Sequence, residues 1–159
     1  MDTLMLFTDG SVNTRTHIGF GAYLIVSEDE FLSDALKMRV KVKGFEHTSS
    51  TKLELQTLLW ALSEIQVCGR KVTVYTDSQN IIGLKGRWAR FEQNNYRSKN
   101  NRRLSNFELY RDFFKKTKVL DCKFIKVRGH QVSNQKDDIG RLFTLVDRAS
   151  RNALRNENR

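Results

Sequence analysis

Asp9, Glu54, Asp77 and Asp147 are the residues through which this chain could do chemistry. Asp9 follows the apolar run Leu4 to Phe7, so it is expected at the end of a first strand. Asp77 closes the β-rich run Lys71 to Thr76, Glu54 falls in the first turn of a long helix, and Asp147 lies near the last helix. If the two strands are neighbours, their ends bring Asp9 and Asp77 together, and a helix packed over the sheet can add Glu54. Carboxylates gathered this way raise one another's pKa unless a cation neutralises them. Hard oxygen donors suit Mg²⁺ or Mn²⁺, which keep several waters and bind phosphates. Two such ions about 3.5–4 Å apart would bind the attacking water and the leaving 3′ oxygen of an in-line phosphoryl displacement.

Each acid also has a purely structural reading. Thr51-Lys52-Leu53-Glu54 is a capping box, Asp77 can N-cap the segment after it, Asp9-Gly10 is a common turn pair, and Asp147 suits a helix N-terminus. Spacing alone leaves both readings open.

The elements that must position these acids follow from periodicity. After Leu4–Phe7, Gly19 to Val26 reads as a second strand. From Leu36 to Lys43 apolar and cationic residues alternate strictly, which predicts a half-buried third strand. Short connections make these three an antiparallel meander. Leu55, Leu58, Leu59, Leu62 and Ile65 recur at helical spacing, with Gly69 as the stop. Lys71 to Thr76 is a fourth strand, and a helix is expected from Asn80 into a basic region. Ser105-Asn106-Phe107-Glu108 is a capping box opening a helix to about Lys116; Lys123 to Val127 is the last strand, and a final helix begins between Asp138 and Asp147. The order implies a mixed α/β sheet with helices packed against it.

The chain has 159 residues and a net charge of +10, which suits one domain over 1–159. Between Lys85 and Lys118 there are 11 Lys and Arg against 3 acids, so most of the excess sits in one segment. Clustered cations favour a polyanion, because each neutralised phosphate releases condensed counterions; the plain alternative is a solvated surface. No run approaches the ~20 apolar residues of a membrane span and no signal peptide is visible, so a soluble cytoplasmic protein is expected. Cys68 and Cys122 lack zinc-site spacing and read as buried free thiols.

Leu6-Phe7-Thr8-Asp9-Gly10-Ser11, Thr51-Lys52-Leu53-Glu54-Leu55, Val74-Tyr75-Thr76-Asp77-Ser78-Gln79 and Lys126-Val127-Arg128-Gly129-His130 resemble, in order, the signature blocks of ribonuclease H, most closely the bacterial type I enzymes. The resemblance runs from about Leu4 to Leu154. It implies a five-stranded mixed sheet of order 3-2-1-4-5, with hydrolysis of the RNA strand of RNA–DNA hybrids to 3′-hydroxyl and 5′-phosphate ends. It also implies two Mg²⁺ ions, with Mn²⁺ as a substitute; a monomer is expected, although the sequence leaves the oligomeric state open. Asp9 would bridge the ions, Glu54 and Asp77 would complete the one near the leaving group, and Asp147 the one that activates water. His130 would assist proton transfer or product departure.

Substrate contacts implied by the resemblance are Gln79 and Asn13 to the RNA strand and Ser50 and Thr51 to sugar or phosphate. The loop after Ser11 and the hydroxyl-rich stretch before Glu54 both depart from the family pattern. The segment of about 85–104 corresponds to the family's basic handle, giving Lys85, Arg87, Trp88, Arg90, Arg97, Lys99, Arg102 and Arg103 as contacts. Trp88 and Phe91, three apart, fit core packing equally well. Asp147 lies farther beyond His130 than the family spacing, which implies an inserted loop, with Asp137 or Asp138 as the alternative fourth ligand. His17 and His47 have no such context and read as surface residues.

Overall fold

The computed structural model describes residues 3–30, 34–65, 69–128 and 137–157. Leu6 and Phe7 are fully buried on opposite sides of β1 (Leu4–Asn13), because successive strand side chains alternate and both faces here are covered. On Leu6's side lie α1 (Ser50–Ser63) and α4 (Phe107–Val119); on Phe7's side lies α5 (Asp138–Glu157). The five strands are ordered β3-β2-β1-β4-β5, as the resemblance implies. β2 (Ile18–Ser27) pairs antiparallel with β1 along its whole length, and β4 (Lys71–Thr76) runs parallel between β1 and β5 (Asp121–Lys126). No helix among the described residues is long and apolar enough to cross a membrane.

The third strand differs from the alternation read in the sequence. Residues Asp34–Arg39 form a 3₁₀ helix, and β3 is confined to Lys41–Phe45. Leu36 is buried, but Met38 is 91% exposed. Continuing the β2–β3 register past Tyr23↔Lys41 would set Ile25 opposite Arg39. There the Arg39 side chain donates to the Ile25 carbonyl at 3.2 Å, so a guanidinium takes an acceptor that a longer strand would have used.

Helix boundaries also move. α1 begins at Ser50 because Ser49 is the N-cap, its Oγ accepting from the Lys52 amide at 3.3 Å; the capping box at Thr51 does not form. α1 ends at Ser63, short of Gly69, whose φ of 74° opens the approach to β4. α4 starts at Phe107 after Asn106, with no side-chain cap, and runs to Val119. α5 starts at Asp138, with the Asp137 carboxylate accepting from the Gly140 amide at 2.8 Å. Cys122 is buried with a free thiol, as expected; Cys68 lies outside the described residues.

α1 sits unusually close to the sheet. A Cβ on Gly21 would meet Thr57 Oγ1 at 2.0 Å, and one on Gly10 would meet the Leu53 side chain at 2.9 Å. Missing side chains on β1 and β2 therefore let Leu53 and Thr57 rest on backbone, and this fixes how near Glu54 comes to the strand ends.

Candidate active site

The parallel ladder explains why Asp9 and Asp77 meet. Its last pair is Phe7↔Tyr75, and the same register, two residues on, sets Asp9 opposite Asp77. Beyond Phe7, β1 continues against β2 alone while β4 turns away after Thr76, so the two carboxylates stand in the fork between strands. Asp9 is thus inside β1 rather than at its end, and the turn reading of Asp9-Gly10 fails. Asp9 shares parity with Met5 and Phe7, which puts it on the α5 side.

α5 brings Asp147 to the same place. The Asp9 carboxyl is pushed up to about 8 by burial, then by the Asp77 charge, then by a side-chain hydrogen bond with Asp147. Asp147 lies midway along α5, so it is not an N-terminal helix acid; its Oδ1 also accepts from Arg151 Nε at 2.8 Å. Asp137 is the helix cap, and Asp138 faces Arg141 at 3.5 Å. Both precede Asp147 by nine or ten residues, about 14 Å of helix, and neither acts on Asp9. The structure brings Asp147, not either alternative, to the other acids.

Glu54 arrives from the opposite side of the sheet. Its carboxylate accepts from Ser78 Oγ at 2.5 Å, and that same oxygen caps α2 (Gln79–Leu84) by accepting from the Ile81 amide at 3.2 Å. Ser78, not Asp77, is therefore the N-cap of α2. The Glu54 carboxyl is raised by burial; the Ser78 hydrogen bond pulls it down and the Asp77 charge adds to the rise. Asp77 thus acts on both Asp9 and Glu54, and acids from four elements and both sides of the sheet share one field.

This donor set is all carboxylate oxygen, the chemistry of a hard divalent cation. As placed, no three described His, Cys, Asp or Glu side chains surround one point at ligating distance. Burial, with Asp77 and Asp147 close by, instead raises the Asp9 carboxyl, a cost that a bound cation would offset. The side chains fit a cation in type and neighbourhood.

Of the expected substrate contacts, Gln79 lies beside the site, its Oε1 accepting from Lys126 Nζ at 2.9 Å. Ser50 and Thr51 are exposed in the first turn of α1. Asn13 is committed to the β1–β2 turn, where Oδ1 accepts from the Arg15 amide at 2.9 Å, and it stands four residues, roughly 13 Å, along the strand from Asp9. His17 and His47 are exposed. His130 lies outside the described residues.

The basic handle divides. Lys85 Nζ donates to the Cys122 carbonyl at 2.9 Å, and Arg87 Nη2 donates to the Asn80 carbonyl at 2.9 Å, so both cations brace α2. Phe91, on α3 (Trp88–Gln93), stacks on Tyr96 and Tyr110 and belongs to the core. Trp88 is 39% exposed beneath Lys118. Arg90, Arg97, Lys99, Arg102 and Arg103 are exposed, the Arg97–Arg103 bridge holding their loop together. Sequence reasoning missed Ser78, Lys126 and Arg151. Ser78 and Arg151 had local signals, a cap position after a strand and an i,i+4 pairing with Asp147. Lys126 had none, since only the β4–β5 pairing brings it to Gln79.

Compared with known proteins, residues 1–153 match the RNase H family. The ribonuclease H of Caldicellulosiruptor saccharolyticus is 27% identical over 148 residues, covering 89% of this chain and 95% of the relative. The ribonuclease H of Clostridium botulinum is 28% identical over 134 residues, covering 82% and 85%. Among solved structures, LC9-RNase H1, described as a type 1 RNase H with the type 2 active-site motif, superposes with a TM-score of 0.71 at 16% identity, covering 96% of this chain and 72% of that one. A foamy viral protease-reverse transcriptase in complex with dsDNA superposes at 0.63 with 8% identity, covering 94% and 93%. At these identities the two structures show the fold alone.

Proposed function

Because the chain belongs to the RNase H family, we propose that it is an endonuclease cutting the RNA strand of RNA–DNA hybrids, with Asp9, Glu54, Asp77 and Asp147 as the acids that hold two Mg²⁺ ions. The observation that carries this reading is the meeting of acids from β1, α1, the end of β4 and α5 around the fork where β4 leaves β1. Bound there, the ions would supply charge to the attacking water and the leaving 3′ oxygen.

The chain's own residues then divide the work. Asp9, the most strongly perturbed of the four, would hold both ions, with Glu54 and Asp77 helping to hold one and Asp147 the other. Ser78 holds the Glu54 carboxylate, and Arg151 holds that of Asp147. Gln79, tied to Lys126, is the residue best placed to meet the ribose hydroxyls of the strand being cut. Exposed handle cations take phosphates of the partner strand. His130 is assigned to proton transfer or product departure. The whole of 1–159 works as one domain.

The test is a hybrid labelled in turn on each strand, incubated with Mg²⁺ or with chelator. RNA should be cut and DNA left whole, only with the metal, giving fragments a polymerase can extend from the 3′ end. Intact RNA, or equal cutting of both strands, overturns the reading.

A further inference from the structure

The handle is conspicuous in the sequence, but α5 carries a second basic surface that net charge conceals. Arg141, Arg148, Arg151 and Arg155 follow one another at intervals of seven, three and four, with Thr144 between the first two. At 3.6 residues per turn they fall within about 80° of one another round the helix. Leu142, Phe143, Val146 and Ser150 are buried on the opposite side against β1 and β2. All four arginines are exposed. Three acids on the same helix nearly cancel them in the count, yet they sit off the stripe: Asp147 turns toward Asp9, Glu157 falls near the core side, and Asp138 pairs, among the described residues, with Arg141. Among the described residues Arg148 and Arg155 have no ion-pair partner.

Two features give this stripe a direction. It runs alongside the acids, since Arg148 and Arg151 lie within about a turn of Asp147. It also lies across the sheet from the handle, whose helices pack with the Leu6 cluster while α5 packs with the Phe7 cluster. From Arg141 to Arg155 it spans about 21 Å, which matches about six base-pair steps of duplex. Every cation in it is arginine, whose planar fork suits phosphate oxygens.

Resting on the nuclease reading above, we infer that the α5 arginine stripe binds the phosphate backbone of the polynucleotide on the side of the cut away from the handle. A duplex lying across the acids would then be gripped on both sides of the sheet. Arg151 holds Asp147, one of the site acids, so Arg141 (paired only at the surface, with Asp138), Arg148 and Arg155 are the members to test.

The experiment measures binding in chelator, which prevents cleavage, across a salt titration. It compares wild type with the triple variant Arg141→Gln, Arg148→Gln, Arg155→Gln, on a long hybrid and on one shortened by about six base pairs at each end. Removing three phosphate contacts lowers the slope of log affinity against log salt by about 2.7, so a fourfold rise in salt weakens the variant about 40-fold less than wild type. That change is expected on the long hybrid and largely absent on the short one, and the corresponding triple Lys variant should restore most of the slope. An unchanged slope on the long hybrid, or equal losses on both lengths, overturns the proposal. So does a loss confined to vesicles of anionic phospholipid. The two readings separate cleanly. If wild type with Mg²⁺ leaves the hybrid uncut while the variant still loses slope, the stripe stands and the nuclease assignment falls. Cutting with an unchanged slope gives the reverse. A wild type that binds no hybrid removes both.

Discussion

Replacing Asp9 by Asn should stabilise the protein in chelator, by an amount that grows with pH. The Asp9 carboxyl is held at about 8, far above 3.8, by burial and by Asp77 and Asp147. Its folded-state pKa is raised, so between those two values the folded chain keeps a proton that the unfolded chain has lost. Stability from this group therefore falls as pH rises from about 4 and levels off above about 8. At about 1.4 kcal/mol per pH unit the upper limit is near 6 kcal/mol. Relaxation of the buried, coupled cluster lowers this figure, and about 2–4 kcal/mol is the expected gain at pH 8 to 9. For a chain of this size that is roughly 5–15 °C in Tm. Asn has no charge to bury and can still donate to Asp147. Thermal unfolding of both proteins in EDTA from pH 5 to 9 reads the effect: the gap should be small at pH 5 and widen steadily. A gap that is flat with pH, or an Asn variant less stable than wild type at pH 9, would refute the claim that burial and the neighbouring acids keep Asp9 protonated in the fold. Added Mg²⁺ should narrow the gap, because it binds the wild type preferentially.

Ser78→Ala removes both the α2 cap and the donor to Glu54; it should cost about 1 kcal/mol by denaturant titration and lower kcat well beyond what that instability explains. Gly21→Ala drives a Cβ into Thr57 and should destabilise by about 1–3 kcal/mol while displacing Glu54, with Thr57→Ala as a second change recovering part of the stability and activity. Neutralising Arg97, Lys99, Arg102 and Arg103 together should raise KM and flatten its salt dependence with little change in kcat, whereas Lys85→Ala should lower Tm instead, since its ammonium is bound to the Cys122 carbonyl.

The sheet order was legible through blocks resembling one family, and the strands and helices that carry the four acids through local patterns: an apolar run ending near an acid and a helical leucine repeat. Other features depend on contacts between distant residues and left no such trace. The third strand was misplaced because Leu36 and Met38 share a strand parity that the 3₁₀ helix at Asp34–Arg39 breaks, with Arg39 bonded to the Ile25 carbonyl. Lys85 and Arg87 looked like free cations because nothing in the sequence marks the carbonyls they bind. Thr51-Lys52-Leu53-Glu54 satisfied the capping-box pattern, yet Ser49 does the capping and Glu54 reaches across the sheet edge to Ser78. A local rule was available to two groups there, and tertiary packing chose between them. The α5 arginines escaped notice because nearby acids mask them in any count of net charge, and helical geometry alone separates the two signs.

Crystals soaked in Mn²⁺ at a pH above 8, where Asp9 is ionised, would test the central claim most directly through anomalous scattering. Manganese peaks bounded by oxygens of Asp9, Glu54, Asp77 and Asp147 are the expected result. Well-ordered carboxylates with no peak among them, at a concentration that supports hybrid cleavage, would contradict the account.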